Sequence, residues 1–287
     1  MAVLYVTATP IGNLNDFSPR GIDTLKQADL IIAEDTRVTM KLAQVFGFRA
    51  RMVCCHRHNE ENKAAVLAQQ IEAENLTAAL VTDAGTPCIS DPGNEVAAAC
   101  IERGIPVIPV PGCSACIAAL SVSGFDTREF AFYGFLPRDK KSLKEKLASI
   151  AGGVPVAVLH ESPFRIIDLT ECIADMLPEA RMAVCCDLTK LHEKTLYGSP
   201  SEVLAALEAN EKTEKGEYCV VLDLHSVTKK EAEAAPAAEI SAEAMLVEEM
   251  KQGKTLREAQ EALVAAGMKK NAVKQAALML KRLFSGQ

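Results

Sequence analysis

The stretch Leu80–Gly93, with the sequence LVTDAGTPCISDPG, decides the fold class of this chain. Its two leading apolar residues end a short strand, and the polar loop after them leads into a helix predicted over Pro92–Glu102. The loop is rich in glycine, proline and small polar residues, which favour turns. In an open α/β sheet, ligands bind at such loops, outside the carboxyl ends of the strands. The stretch therefore predicts one strand–loop–helix unit of an α/β protein.

The same alternation of short apolar runs and helical stretches continues on both sides of this unit. It predicts a mostly parallel sheet that is covered by helices on both faces. Ser18, followed by a proline, predicts the beginning of the first helix. The other strands predicted in this part of the chain are Val3–Thr7, Leu30–Ala33, Met52–Cys54 and Pro106–Ile108.

A second α/β region begins near Gly124 and repeats this pattern. Its predicted strands are Phe130–Phe135, Val156–His160, Met182–Cys186 and Tyr218–Leu222. A stretch of Lys, Glu, Ala and Pro without periodicity then indicates a linker, and three helix-period segments follow it. We therefore predict an N-terminal α/β domain, a second α/β domain, a linker and a three-helix module, over residues 1–123, 124–225, 226–239 and 240–287.

The composition is that of an ordinary globular protein, with 287 residues of which 49% are hydrophobic and 24% charged. The net charge of −7 argues against a polyanionic partner. However, residues 241–287 hold eight Lys or Arg against five Glu, and residues 138–146 hold five bases against two acids. Charge alone favours solvated helix faces at these places. The three helices are typical both of a helix-turn-helix nucleic-acid module and of a plain packing bundle.

The ten cysteines lie in apolar runs, where a thiol behaves as a small hydrophobic group, so no disulfide framework is expected. Prolines and glycines interrupt the uncharged stretch 105–125, which excludes a membrane span. We expect a cytoplasmic protein without a signal peptide. No cysteine or histidine spacing indicates a metal site. The Cys113–Cys116 spacing matches a redox motif, but its place in a strand-end loop favours a structural or binding role.

Four loops at successive strand ends are expected to line one crevice. None of them contains the glycine-rich fingerprint of dinucleotide enzymes or of nucleotide triphosphatases. Their backbone groups and one carboxylate suit a ligand with a ribose, an adenine and an amino-acid end better than a triphosphate. The loops are Thr9–Leu14, Glu34–Arg37, Asp83–Gly93 and Val110–Ala115.

An ordered set of motifs along nearly the whole chain resembles the tetrapyrrole methylase family, and within it the enzymes that methylate a ribose of ribosomal RNA. Two positions depart from the usual pattern of that family: Cys113 stands in place of Pro, and Asp187 in place of Glu. The motifs are TPIGNL (9–14), AEDTR (33–37), HRHNE (56–60), TDAGTPCISDPG (82–93), VPG-x-SA (110–115), GFLP (134–137), ESPFR (161–165) and DLTK (187–190).

The resemblance implies two α/β domains with S-adenosylmethionine in the cleft between them, usually in a homodimer. It also implies that the substrate is a cytidine in the decoding region of small ribosomal subunit RNA, methylated on its 2′-oxygen. The positions that it assigns to cofactor binding are Pro10, Gly12, Asp83, Gly85, Thr86, Ser114, Ala115 and His160.

Methyl transfer to a hydroxyl requires alignment of the oxygen and removal of its proton. We expect Asp35 or Glu60 to accept that proton and Arg37 to contact a phosphate, and nothing in the sequence chooses between the two carboxylates. His58 and Lys190 complete the catalytic candidates. Asp35 is an equally good candidate for a helix cap. Two other functions stay open: methylation of a tetrapyrrole or another small molecule by the same fold, and a non-catalytic ribosome-assembly factor.

Overall fold

The computed structural model describes residues 2–57, 59–227 and 241–281, together with the backbone of 282–285. The chain forms two compact units, residues 1–229 and 230–287. The first unit contains two five-stranded sheets, which confirms the predicted α/β class. The predicted linker, 226–239, lies almost wholly outside the described residues. Our domain boundaries remain predictions.

The first sheet is entirely parallel, as predicted, with the strand order β3-β2-β4-β1-β5. Because these five short apolar segments form one parallel sheet, all their carboxyl ends lie at the same edge. The strands are β1 (Val3–Thr7), β2 (Leu30–Ala33), β3 (Arg51–Cys54), β4 (Thr77–Val81) and β5 (Val107–Val110).

Helices cover both faces of this sheet. Along β2, Ile31 packs in the core with α1 and α2, while Ile32 packs in the opposite core with α3 and α4. The side chain of Ser18 caps α1 by accepting a hydrogen bond from the backbone N of Gly21 at 3.0 Å. The helices are α1 (Pro19–Gln27), α2 (Thr36–Phe46), α3 (Glu60–Ala73) and α4 (Asn94–Glu102).

The second sheet has the strand order β6-β7-β10-β8-β9 and differs from the prediction, because β6 and β7 are its only neighbouring strands that pair in parallel. β10 runs antiparallel to both of its neighbours, and β9 runs antiparallel to β8. The connection 187–193 between β8 and β9 is too short for a parallel crossover, so the chain turns back on itself. β9 is a strand that the sequence analysis did not predict. The strands are β6 (Ala131–Phe135), β7 (Val156–Glu161), β8 (Arg181–Cys186), β9 (Lys194–Gly198) and β10 (Tyr218–Asp223).

Helix α5 (Ala115–Val122) follows the last strand of the first sheet but packs on the second sheet. Ala119 and Leu120 are buried there with Val158 and Val221. The opposite face of the second sheet is covered by α6 (Lys140–Ala151), α7 (Ile166–Met176) and α8 (Pro200–Glu208). α5 therefore joins the two sheets through side-chain packing as well as through the chain.

The second unit contains the three predicted helices, α9 (Ala242–Lys251), α10 (Leu256–Ala265) and α11 (Lys270–Ser285). Thr255 and Glu258 form a reciprocal capping box at the beginning of α10. In the described parts of the chain, no helix is long and apolar enough to cross a membrane.

The packing of α5 predicts that Ala119→Leu destabilises the first unit. Ala119 is fully buried against the second sheet, and an overpacked core position costs about 1–3 kcal/mol of the free energy of unfolding. Urea denaturation of this variant measures the loss. Ser121→Leu, at an exposed position of the same helix, serves as the control and should change stability by less than about 0.5 kcal/mol. Equal stabilities of the two variants would contradict this account of α5.

Candidate active site

A cavity of about 390 Å³ lies at the carboxyl ends of the first-sheet strands and beside the second sheet. This volume falls within the range of about 300–1,000 Å³ that is usual for small-molecule sites. Its lining residues come from both sheets and from α5: Ile11, Ala84, Ser90, Asp91, Ala115, Phe135, His160, Glu161, Ser162, Pro163, Leu188, Glu217, Tyr218 and Cys219.

Three of the four predicted strand-end loops line the cavity, but largely through neighbours of the predicted residues. Of the eight positions predicted for the cofactor, Ala115 and His160 line the cavity. Ile11 lines it between the predicted Pro10 and Gly12, and Ala84 lines it between the predicted Asp83 and Gly85. The remaining two, Thr86 and Ser114, lie on the same loops.

The loops are tied to one another by hydrogen bonds. Thr9 and Gly85 exchange two backbone hydrogen bonds of 2.9 and 3.1 Å, with Gly85 at a φ of +89°, which favours glycine. The hydroxyl of Thr86 donates to the carbonyl of Cys113 at 2.9 Å. Thr86 is therefore a link between two loops, and Ser114 is the N-cap of α5. These bonds hold the rim of the cavity in place.

The Cys113 thiol is not activated for redox chemistry. Burial raises its pKa, and the sulfur donates a hydrogen bond to the carbonyl of Asp16 at 3.4 Å. Reactive cysteines of dithiol enzymes have lowered pKa values instead. In the described chain all ten cysteines are free, and no three His, Cys, Asp or Glu side chains are placed to share a metal ion.

Gly12 brings the first loop close to the connection after β8. A Cβ at this position would lie 2.6 Å from Cγ of Lys190 and 2.9 Å from Oγ1 of Thr189. Both distances are shorter than any normal contact, so the approach requires glycine. At Gly12, the loop that carries Ile11 is therefore in direct contact with the connection between β8 and β9.

His160, near the end of β7, has a buried Nε2 atom without a hydrogen-bond partner. The rings of Phe132 and Phe135 lie edge-on to the imidazole, with centroids 4.9 and 5.8 Å away. Burial lowers the pKa of His160, so the imidazole is neutral around pH 7. A neutral ring with one unpaired nitrogen at a cavity wall is suited to a hydrogen bond with a bound ligand.

Asp35 is the N-cap of α2 and holds the side chain of Arg37. Its carboxylate accepts hydrogen bonds from the backbone N of Arg37 at 2.8 Å and from Nε at 3.0 Å. The hydrogen bonds from Arg37 lower the pKa of Asp35 to about 2. A carboxylate with so low a pKa is a weak base, whereas the largely exposed Arg37 guanidinium is available for a phosphate.

Glu60 has a structural role in the fold, and its role as a proton acceptor stays a prediction. Its buried Oε1 accepts hydrogen bonds from the backbone N of Gly93 at 2.7 Å and of Glu95 at 2.8 Å. These are donors at the beginning of α4, so the carboxylate of α3 caps the neighbouring helix. Glu60 is absent from the cavity lining.

Lys190 lies between two carboxylates and contacts both Asp187 and Glu217 at 3.0 Å. Burial disfavours its charge, but these hydrogen bonds outweigh that effect and raise the pKa of Lys190. Because Glu217 lines the cavity, Lys190 is connected to the site through an ion pair. His58, the remaining catalytic candidate, lies outside the described residues.

Among the described residues, three carboxylates line the cavity, those of Asp91, Glu161 and Glu217, and sequence reasoning missed all of them as catalytic candidates. Burial, and next the charge of Glu34, raise the pKa of Asp91, and the same two causes raise the pKa of Asp83. Glu34 accepts a hydrogen bond from the hydroxyl of Thr82 at 2.6 Å. The signal for Asp91 was present in the sequence, since it stands in the SDPG segment of the loop that decides the fold.

The fold and the cavity define an α/β protein with a ligand-sized site beside the carboxyl ends of its strands. The family model described as tetrapyrrole (corrin/porphyrin) methylases matches residues 3–204. The chain belongs to this family and is a methyltransferase.

Its relatives include proteins named ribosomal RNA small subunit methyltransferase I. The one from Escherichia coli O157:H7 is 40% identical over 278 residues, which cover 96% of this chain and 94% of that protein. The one from Halalkalibacterium halodurans is 43% identical over 220 residues, covering 77% and 75%.

Solved structures share the fold at low sequence identity. Uroporphyrin-III-C-methyltransferase from Thermus thermophilus has a TM-score of 0.53 at 20% identity, over 81% of this chain and 98% of that one. A diphthine synthase has a TM-score of 0.58 at 13% identity, over 79% and 93%.

The capping role of Glu60 predicts that Glu60→Ala lowers stability. It leaves two donors at the beginning of α4 without their partner, and each buried unsatisfied group costs about 1–3 kcal/mol. Chemical denaturation should show a loss of at least about 2 kcal/mol. Glu61→Ala, which changes the exposed neighbouring residue, is the control. Unchanged stability of Glu60→Ala combined with lost methyl transfer would contradict the capping role and support a catalytic role of Glu60.

Proposed function

We propose that this methyltransferase uses S-adenosylmethionine to methylate the 2′-oxygen of a cytidine in small ribosomal subunit RNA. The observation that carries the proposal is the match along 96% of the chain to a protein named ribosomal RNA small subunit methyltransferase I. That match extends past residue 204, where the methylase family model ends, and so includes most of the three-helix unit. A match of this extent favours a common substrate more strongly than the methylase fold alone.

The cavity suits S-adenosylmethionine in size and in its donor set. The unpaired Nε2 of His160 offers a polar contact at one wall, and Ile11, Ala115 and Leu188 offer apolar surface. A structure of the same fold, uroporphyrin-III C-methyltransferase from Thermus thermophilus, was solved in complex with S-adenyl homocysteine, with a TM-score of 0.54 at 15% identity over 79% of this chain and 99% of that one.

When bound, S-adenosylmethionine supplies an activated methyl group with a neutral leaving group. The protein must then orient the ribose hydroxyl and accept its proton. Asp91 replaces Asp35 and Glu60 as the proposed proton acceptor, because it lines the cavity and its raised pKa makes it a stronger base than Asp35. Arg37, in the first turn of α2, is available to hold a phosphate of the RNA.

The basic segments of the chain favour RNA over the two other functions that the sequence leaves open. Lys269, Lys270 and Lys274 lie at and near the beginning of α11, and residues 138–146 add a second basic surface. A tetrapyrrole enzyme requires neither. A non-catalytic factor would not require a ligand-sized cavity with an unpaired imidazole nitrogen.

The proposal includes a homodimer in the cytoplasm, where ribosomal subunits are available. Ile117 and Val122 of α5 are exposed, and Tyr197 of β9 donates a hydrogen bond to the carbonyl of Val122. Exposed apolar groups on neighbouring elements are typical of an interface. Light scattering on the full chain determines the mass.

Label transfer tests the proposed reaction. The protein is incubated with methyl-labelled S-adenosylmethionine and with small subunits from a strain that lacks the corresponding enzyme. We expect label in the RNA, on the ribose of one cytidine, as mapped by nucleoside mass spectrometry. Label in an added tetrapyrrole would instead establish small-molecule methylation. Absence of label from both substrates would support a non-catalytic factor.

Asp91→Asn should lower kcat about 100-fold or more, since a positioned general base contributes about 10²–10⁴-fold. The affinity for S-adenosylmethionine, measured by calorimetry, should stay within about twofold, because Asn keeps the size and polarity of the side chain. Asp35→Asn is the comparison, and the low pKa of Asp35 predicts the smaller loss of kcat. A larger loss in Asp35→Asn than in Asp91→Asn would reverse the assignment.

A further inference from the structure

Two phenylalanine side chains on the loops that border the cavity are turned toward solvent. Phe135 lines the cavity and is 62% exposed, and Phe164 follows the lining residue Pro163 and is 77% exposed. Aromatic rings gain much free energy from burial, so two exposed rings beside one cavity favour a binding role. We call Phe135 and Phe164 the aromatic rim.

The backbone of β6 determines the exposed orientation of Phe135. β6 carries a bulge at Tyr133, because Phe132 pairs with Val158 and Gly134 with the next residue of β7. Gly134 adopts a φ of +62°, which favours glycine. A bulge changes the direction of the side chains that follow it, and bulges are common beside active sites. The exposed orientation of Phe135 therefore results from a built feature of the strand.

Arg165 ties the two loops of the aromatic rim together. Its guanidinium donates to the carbonyl of Pro137 at 3.1 Å and contacts the buried Glu161 carboxylate at 3.2 Å. Pro137 lies two residues after Phe135, and Arg165 directly follows Phe164. The loops after β6 and β7 therefore form one connected surface, and little ordering is needed when a ligand binds.

A groove of about 160 Å³ continues from this surface and shares Arg165 with it. Its α6 side carries Arg138, Lys140 and Lys144, whereas its α7 side carries carboxylates. Only the α6 side can therefore receive a phosphate. The carboxylates of the α7 side are Asp168, Glu171 and Asp175.

We propose that the aromatic rim stacks the nucleobase of the RNA nucleotide whose ribose is methylated, with the flanking phosphates along the α6 side of the groove. This inference rests on the proposed function. Single-stranded RNA is commonly read by stacking of unpaired bases on aromatic side chains, and enzymes that act on a nucleotide take it out of the helical stack. A π-face beside the cavity and basic side chains beyond it are the arrangement that such a substrate requires.

Steady-state methylation of small subunits tests the proposal. In Phe164→Ala, kcat/KM should fall about tenfold or more, in line with the loss of one stacked base. Phe164→Leu keeps apolar bulk without a π-face and should lose as much, whereas Phe164→Tyr should retain most of the activity. The affinity for S-adenosylmethionine should be unchanged in all three, which also confirms their folding. Val66→Ala, 63% exposed on α3, is the matched control.

The outcomes separate this inference from the proposed function. If the unmodified protein labels no RNA, the proposed function fails and the aromatic rim has no substrate. If it labels RNA but Phe164→Ala has an unchanged kcat/KM, the stacking inference alone is wrong. Full activity of Phe164→Leu also overturns stacking, as does a change of molecular mass in Phe164→Ala, which would make the rim a contact between protomers.

Discussion

The packing of α5 on the second sheet is the contact on which the rest of the first unit depends. Strand β5 ends in one sheet, and the helix that follows it buries small side chains such as Ala119 against the other. Small residues permit a close approach of the helix to the sheet. Because the packing there is dense, a change of side-chain volume would shift the helix relative to the sheet. Because α5 begins at the cavity, the same contact places Ala115 beside the strand-end loops of the first sheet and the wall formed by β7 and β10.

Four acidic side chains near these loops have different roles, which their surroundings determine. Asp35 is half-buried and bound to Arg37, so it remains ionised and weakly basic. Glu60 is buried at the beginning of a helix and acts as a cap. Asp83 and Asp91 are partly buried near Glu34, which raises their pKa values. Residue type alone therefore could not identify the proton acceptor, since environment decides basicity.

Much of the fold could be predicted from the sequence, and the failures have a physical origin. The first sheet follows from short apolar strands and from caps such as Ser18. The strand directions of the second sheet could not be predicted, because a strand buried on both faces is equally apolar in parallel and antiparallel sheets. β9 was missed since Lys194–Gly198 is a short edge strand without a continuous apolar run. In the candidate site, motifs identified three loops that line the cavity, but which side chain of a loop faces a cavity depends on tertiary contacts. Exposure of an apolar ring such as Phe164 is likewise invisible in a sequence.

The bulge in β6 has a consequence for how this protein can diverge. Since Tyr133 and Gly134 set the direction of the chain, position 135 is presented at the cavity whatever side chain it carries. An exposed side chain contributes little to folding, so replacement there changes stability by only about 0.5 kcal/mol or less. Selection can therefore alter the surface that a substrate meets by single substitutions, while the glycine and the extra residue of the strand are retained. Because of the bulge, substitutions at position 135 can change substrate specificity without a loss of fold stability.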